Sequence, residues 1–194
     1  MKNIKALCVF CGSRAGTDPA HAEAAESLGR MMGERGIRLV YGGGGIGLMA
    51  VVANAAVAAG SDVVGVIPEF LRAYEVGVVD GAREVVVPSM HERKARMFEK
   101  GDGFVILPGG LGTLDEFIEI TTWKQLQQHR KPIVLINVNG YWDPFLAAID
   151  RVVDGGYGHH KVRELYTVVD NVAGVFDALA DAPEPDEIVL TSHL

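Results

Sequence analysis

Phe104-Val105-Ile106-Leu107-Pro108-Gly109-Gly110-Leu111-Gly112-Thr113-Leu114-Asp115-Glu116 runs from an apolar strand through a glycine-rich turn into a helix start. The strand is continuously apolar rather than alternating, as expected of one covered on both faces. Glycine lets the backbone approach a ligand closely, and the free N–H groups of a following helix start attract an anion. The same order recurs upstream. Arg38 to Tyr41 leads into Gly42-Gly43-Gly44-Gly45-Ile46-Gly47, and Ala6 to Phe10 leads into Cys11-Gly12-Ser13. One such loop could be a mere turn. Several at strand ends point to a phosphate or nucleotide site, because open α/β sheets bind ligands beyond the carboxyl ends of their strands.

The rest of the chain keeps the alternation. Further strands are expected at 63–67, 84–87 and 133–138, with a weaker one at 166–169. Helices are expected at 21–35, 46–59, 90–100, 114–128 and 144–153. Repeated strand–helix–strand units give an α/β fold, a doubly wound parallel sheet of about seven strands with helices on both faces. One domain over residues 1–180 is expected, with a peripheral tail at 181–194 that carries Pro183 and Pro185.

Composition excludes several classes. The 194 residues are 48% hydrophobic and 22% charged, with a formal net charge of −7. That charge argues against a nucleic-acid or anionic-membrane surface, yet leaves room for a single bound nucleotide. The apolar run at 46–59 is too short to span a bilayer and reads as a buried helix. The run after the basic start ends at Cys11-Gly12-Ser13, so no secretion leader is expected. A soluble, cytoplasmic protein follows. Cys8 and Cys11 have C-x-x-C spacing, but positions three apart in a strand face opposite sides, so neither a redox pair nor a metal site is expected. His159-His160 lies in a glycine-rich turn without a carboxylate at ligand spacing.

Two charged positions have competing readings. Ser89-Met90-His91-Glu92 is a capping box that defines a helix start. Lys94 then shares an arc with Met90, Met97 and Phe98, with Arg93 at its edge. These cations either snorkel to solvent or pair with Glu92 or Glu99, or they enter a cleft and meet an anion. Thr113-Leu114-Asp115-Glu116 also has capping-box spacing, so Glu116 either caps its helix or faces a sugar, where a carboxylate can stabilise developing positive charge. Gly42, Gly44 and Gly47 match G-x-G-x-x-G, with Glu69 where a ribose-binding acid would lie. That pattern raises a nicotinamide-dependent alternative, although the loop follows the second strand rather than the first. A nucleotide carrier without catalysis is a further alternative.

Pro108 to Glu116 resembles the PGGxGTxxE motif of the Lonely-Guy (LOG) family, whose members are cytokinin riboside 5′-monophosphate phosphoribohydrolases often mislabelled lysine decarboxylases. Gly43 to Met49 and Ser89 to Ala95 resemble two further signatures of the family, in the same order and spacing; Ala50 stands where the family usually has glycine. The resemblance implies a Rossmann-like fold, a homodimer, no cofactor, and hydrolysis of an N6-modified AMP to free base and ribose 5-phosphate. It places Arg93 and Glu116 at the catalytic positions. It places Lys94, Gly110, Leu111, Gly112, Thr113, Glu75 and Thr122 at nucleotide-binding ones, and Gly12, Ser13, Gly44 and Gly45 join them from the strand-end loops. No general acid for the departing base is evident, with Asp115 the nearest candidate. For self-association, Leu114, Phe117, Ile118 and Thr121 are expected to cover the sheet. Ile120 and Trp123 would form a second apolar stripe that needs a partner, either a neighbouring helix or a second subunit.

Overall fold

The computed structural model describes residues 4–72 and 77–185. Its centre is a seven-stranded, all-parallel sheet in the order β4-β3-β2-β1-β5-β6-β7. The strands are β1 (Ala6–Phe10), β2 (Arg38–Tyr41), β3 (Val63–Pro68), β4 (Arg83–Val87), β5 (Gly103–Ile106), β6 (Ile133–Ile136) and β7 (Thr167–Val169). The helices are α1 (Pro19–Glu34), α2 (Gly47–Ala58), α3 (Met90–Lys100), α4 (Leu111–Gln125), α5 (Asp143–Asp154) and α6 (Val175–Asp181). The doubly wound sheet is as expected, while α6 was not anticipated. The expected peripheral tail falls mostly on residues outside the described set.

Chain order explains where a ligand can go. β1 to β4 step outward on one side, and then the chain returns to place β5 against the other edge of β1. The direction of winding therefore reverses between β1 and β5, which opens a crevice at their carboxyl ends. Two apolar layers hold this frame. Leu7, Val9, Val105 and Val134 pack under Leu28 and Met32 of α1, Val52 of α2 and Leu179 of α6. On the other face Cys8, Phe10, Phe104 and Ile106 pack with Met97 of α3 and with Phe117 and Ile120 of α4. Cys8 and Cys11 belong to opposite layers and are both free and buried, as strand alternation requires.

α4 departs from expectation in a way that matters for the site. It begins at Leu111 with Gly110 as a cap that offers no side-chain hydrogen bond. Thr113 is thus inside the first turn and Glu116 in the second, so the capping-box reading of Glu116 falls. The buried residues of α4 are Thr113, Glu116, Phe117, Ile120, Thr121 and Lys124. Ile120 is core, not a second stripe, and Ile118 is 45% exposed rather than on the sheet. Trp123 packs edge-on against Phe98 of α3, with ring centroids 5.0 Å apart. Its partner is the neighbouring helix of the same chain. Among the described residues no helix is long and apolar enough to cross a membrane.

Candidate functional site

Three strand-end loops are stitched together at the crevice. The N–H of Gly12 donates to the Pro108 carbonyl at 3.0 Å, and the N–H of Leu48 donates to the Gly12 carbonyl at 3.1 Å. Gly47 sits at φ +60°, and a Cβ there would lie 2.3 Å from the carbonyl carbon of Ser13. Only glycine allows that backbone angle together with that approach. Gly47, the last glycine of the second loop's pattern, therefore serves packing between loops. Glu69, the acid that a dinucleotide site would use, is exposed and paired with Arg72 at 3.8 Å. The dinucleotide reading is not supported by this arrangement.

A cleft of about 230 Å³ opens beside the stitched loops. Gly12, Ser13, Gly110, Leu111, Gly112, Thr113, Arg93 and Glu116 line it, with Phe10, Cys11, Gly42, Met49 and Met97. The start of α4 supplies one wall. Its first N–H groups have no partner within the helix, and the partial positive charge of the helix is concentrated there. Gly110 and Gly112 have open space where a side chain would begin. The wall is thus bare backbone with donors, suited to an anion.

Arg93 supplies another wall. It is 7% exposed, with Nε donating to the Val66 carbonyl at 3.2 Å and Nη2 donating to the Gly42 carbonyl at 3.0 Å. A Cβ on Gly42 would lie 2.0 Å from Nη2, so glycine at that position is what lets the guanidinium pass. Two backbone carbonyls fix the group without neutralising its charge.

Glu116 faces the same cleft and is 7% exposed. Burial pushes its carboxyl up from the usual 4.5 to about 7, and the attraction of Arg93 offsets only part of that rise. About 7.5 Å of helix rise separates Glu116 from Leu111. That is comparable with the span from a 5′-phosphate to the anomeric carbon of a ribose. Burial and the Glu116 carboxylate also hold the Cys11 thiol well above its ordinary value. Cys11 is consequently a packed wall residue and a poor nucleophile.

Five expected residues are not brought to this cleft. Lys94 reaches across to α4 instead, with Nζ 3.0 Å from both Asp115 and Glu119. Arg93 and Lys94 are adjacent on a helix, so when one enters the cleft the other turns away by about 100°. Asp115, engaged with Lys94 and exposed, does not line the cleft either and is not placed to protonate a leaving base. Thr122 is exposed on the outer side of α4, and Gly44 and Gly45 do not line the cleft. Glu75 lies outside the described residues.

A second, wider cleft of about 870 Å³ shares Gly12, Ser13, Gly110 and Leu111 with the first. Arg14, His21, Asn139 and Tyr141 line it further out. None of these four lies within a glycine-rich strand-end loop, so the sequence does not single them out. Asn139-Gly140 also follows a strand, β6, and was the available signal.

Comparison with known proteins identifies the family. A family model described as "Possible lysine decarboxylase" matches residues 49–179. The cytokinin riboside 5′-monophosphate phosphoribohydrolase LOG7 of Arabidopsis thaliana is 44% identical over 95% of this chain and 86% of its own length. The LOG enzyme of that name from Oryza sativa subsp. japonica is 48% identical over 84% of this chain and 67% of its own. The phosphoribohydrolase of Rhodococcoides fascians is 42% identical over 90% and 89%. Among solved structures, the Moco carrier protein of Chlamydomonas reinhardtii shares the fold, with a TM-score of 0.69 at 22% identity over 91% of this chain and 96% of its own. The decarboxylase description does not fit the cleft. Pyridoxal phosphate would need a lysine there, and the cleft walls among the described residues carry none. With a model spanning well over half of it and named relatives across most of its length, this chain belongs to the Lonely-Guy (LOG) family.

Proposed function

We propose that the chain hydrolyses the N-glycosidic bond of a nucleoside 5′-monophosphate, an AMP carrying an N6 substituent, to free base and ribose 5-phosphate. One observation carries the reading. A buried carboxyl poised near neutrality stands in the second turn of a helix whose bare N-terminus can hold a phosphate. The N–H groups of Gly110 to Thr113 grip the 5′-phosphate, with Gly12 and Ser13 closing over it. Glu116 then lies beside the ribose. As the bond from the anomeric carbon to the base nitrogen breaks, its electron pair leaves with the base and positive charge builds on the sugar. Ionised Glu116 stabilises that charge and accepts a proton from the water that adds to the anomeric carbon. The departing base takes its proton from solvent. Arg93 holds the ribose and keeps Glu116 ionisable.

The test is incubation with AMP and with an N6-prenylated AMP, followed by chromatography of free base. Release of base supports the hydrolase. Tight binding without release would make the protein a nucleotide carrier.

A homodimer is part of the proposal. Ile118 is 45% exposed on the outer face of α4, the face that also carries Thr122. Thr122 matches a binding position of the family yet points away from its own chain's cleft, and a second copy is what could bring it to one. Ile118→Glu places charge on that face without touching the core. Sedimentation should show a dimer at micromolar concentration for the native chain and a monomer with reduced activity for the variant. A native monomer would overturn the proposal. A cytoplasmic setting is in keeping with two buried, unpaired cysteines.

A further inference from the structure

Tyr141 lies outside every motif discussed above, yet its hydroxyl donates to the Gly109 carbonyl at 2.6 Å. Gly109 and Gly110 join β5 to the bare start of α4. In a trans peptide the carbonyl and the following N–H point to opposite sides. Holding the Gly109 oxygen toward Tyr141 therefore turns the Gly110 N–H away from Tyr141. Tyr141 lines only the second cleft, whereas Gly110 borders both. The carbonyl oxygen is thus kept out of the first cleft and the N–H is left free to meet an anion. A peptide between two glycines turns over with little steric cost. Turned over, it would present a carbonyl oxygen to a phosphate and repel it.

Tyr141 is itself held in place. It follows a short turn, Val138–Gly140, in which Asn139 sits at φ +51° and donates from its side chain to Asp18 at 2.9 Å. The N–H of Trp142 donates to the Asn137 side chain at 2.7 Å. The Tyr141 ring packs edge-on against His21, with centroids 5.0 Å apart. The hydroxyl thus reaches Gly109 from a braced position.

We infer that Tyr141 is a positioning residue for the anion-binding loop: its hydroxyl locks the Gly109–Gly110 peptide in the orientation that receives the 5′-phosphate. This inference rests on the proposed function. The test is Tyr141→Phe, which removes the hydroxyl and keeps the ring and its packing. Binding of ribose 5-phosphate by calorimetry should weaken about five- to tenfold, the worth of one hydrogen bond. KM for AMP should rise by a similar factor with kcat nearly unchanged, the pattern of lost ground-state binding. A hydroxyl of purely structural value would lower the melting temperature and leave dissociation constant and KM as they were, which overturns the inference. Native protein that fails to bind ribose 5-phosphate overturns the phosphate assignment and this inference with it. Native binding that the variant matches overturns this inference alone.

Discussion

Glu116→Gln should slow base release by roughly 10² or more and, at pH 8, leave the chain more stable than the native one. Both effects come from the same burial. The folded chain holds the Glu116 proton up to about pH 7, whereas the ordinary value is 4.5. The group's favourable contribution is therefore fully present below about pH 4.5. It falls as pH rises through 7 and is lost above. The difference of the two values corresponds to about 3 kcal/mol. Glutamine keeps the shape and carries no charge to desolvate. A buried amide has hydrogen-bonding needs of its own, so part of that gain is offset, and a rise of a few degrees in melting temperature is expected at pH 8. At pH 5, where native Glu116 is already protonated, the gap should close. Activity of the native chain should run the other way: kcat/KM should climb as pH rises toward 7 and level above it, because the proposed mechanism uses ionised Glu116. A variant that keeps its activity and loses stability equally at both pH values would make Glu116 a structural group.

The sheet could be read from the chain because its strands are buried on both faces and so are apolar without interruption. β1 and β2 match expectation at both ends. α3 does too, since Ser89 accepts from the Glu92 N–H at 3.2 Å as its capping box requires. α4 was misplaced for a physical reason. Gly110 and Gly112 are poor helix formers, and Thr113 with Glu116 imitates a cap. The helix nevertheless starts at Leu111, with its donors bare, where propensity alone would delay it. Arg93 and Glu116 could be singled out by spacing and resemblance, but their meeting could not. Arg93 finds its anchors at Gly42 and Val66, 51 and 27 residues away in sequence. Lys94 fell to the same limit. Its arc on the helix fits a cleft, and only the position of α4 reveals that Asp115 and Glu119 claim it. The Tyr141 contact spans 32 residues between two loops and had no local signature.

AMP should be cleaved with a kcat/KM at least about 10³ above that of adenosine. The difference between the two is the phosphate, and the place proposed for it is the start of α4. The start of α4 has several N–H groups without a partner in the helix, and hydrogen bonds to a charged acceptor are worth about 1.5–3 kcal/mol each. Two or three of them suffice for the expected ratio. The net charge of −7 opposes the approach of a dianion, but charges beyond about 10 Å are screened at physiological salt, so the donors at hand decide. The effect should not be confined to KM. A phosphate fixed at Gly110 to Thr113 sets the distance of the ribose from Glu116 further along the same helix. Without it the sugar is free to sit off register with the carboxylate, and kcat falls as well. Comparing saturation curves for AMP and adenosine, with free adenine followed by chromatography, separates the two contributions. Equal kcat/KM for both substrates would mean that the bare start of α4 holds something other than the 5′-phosphate.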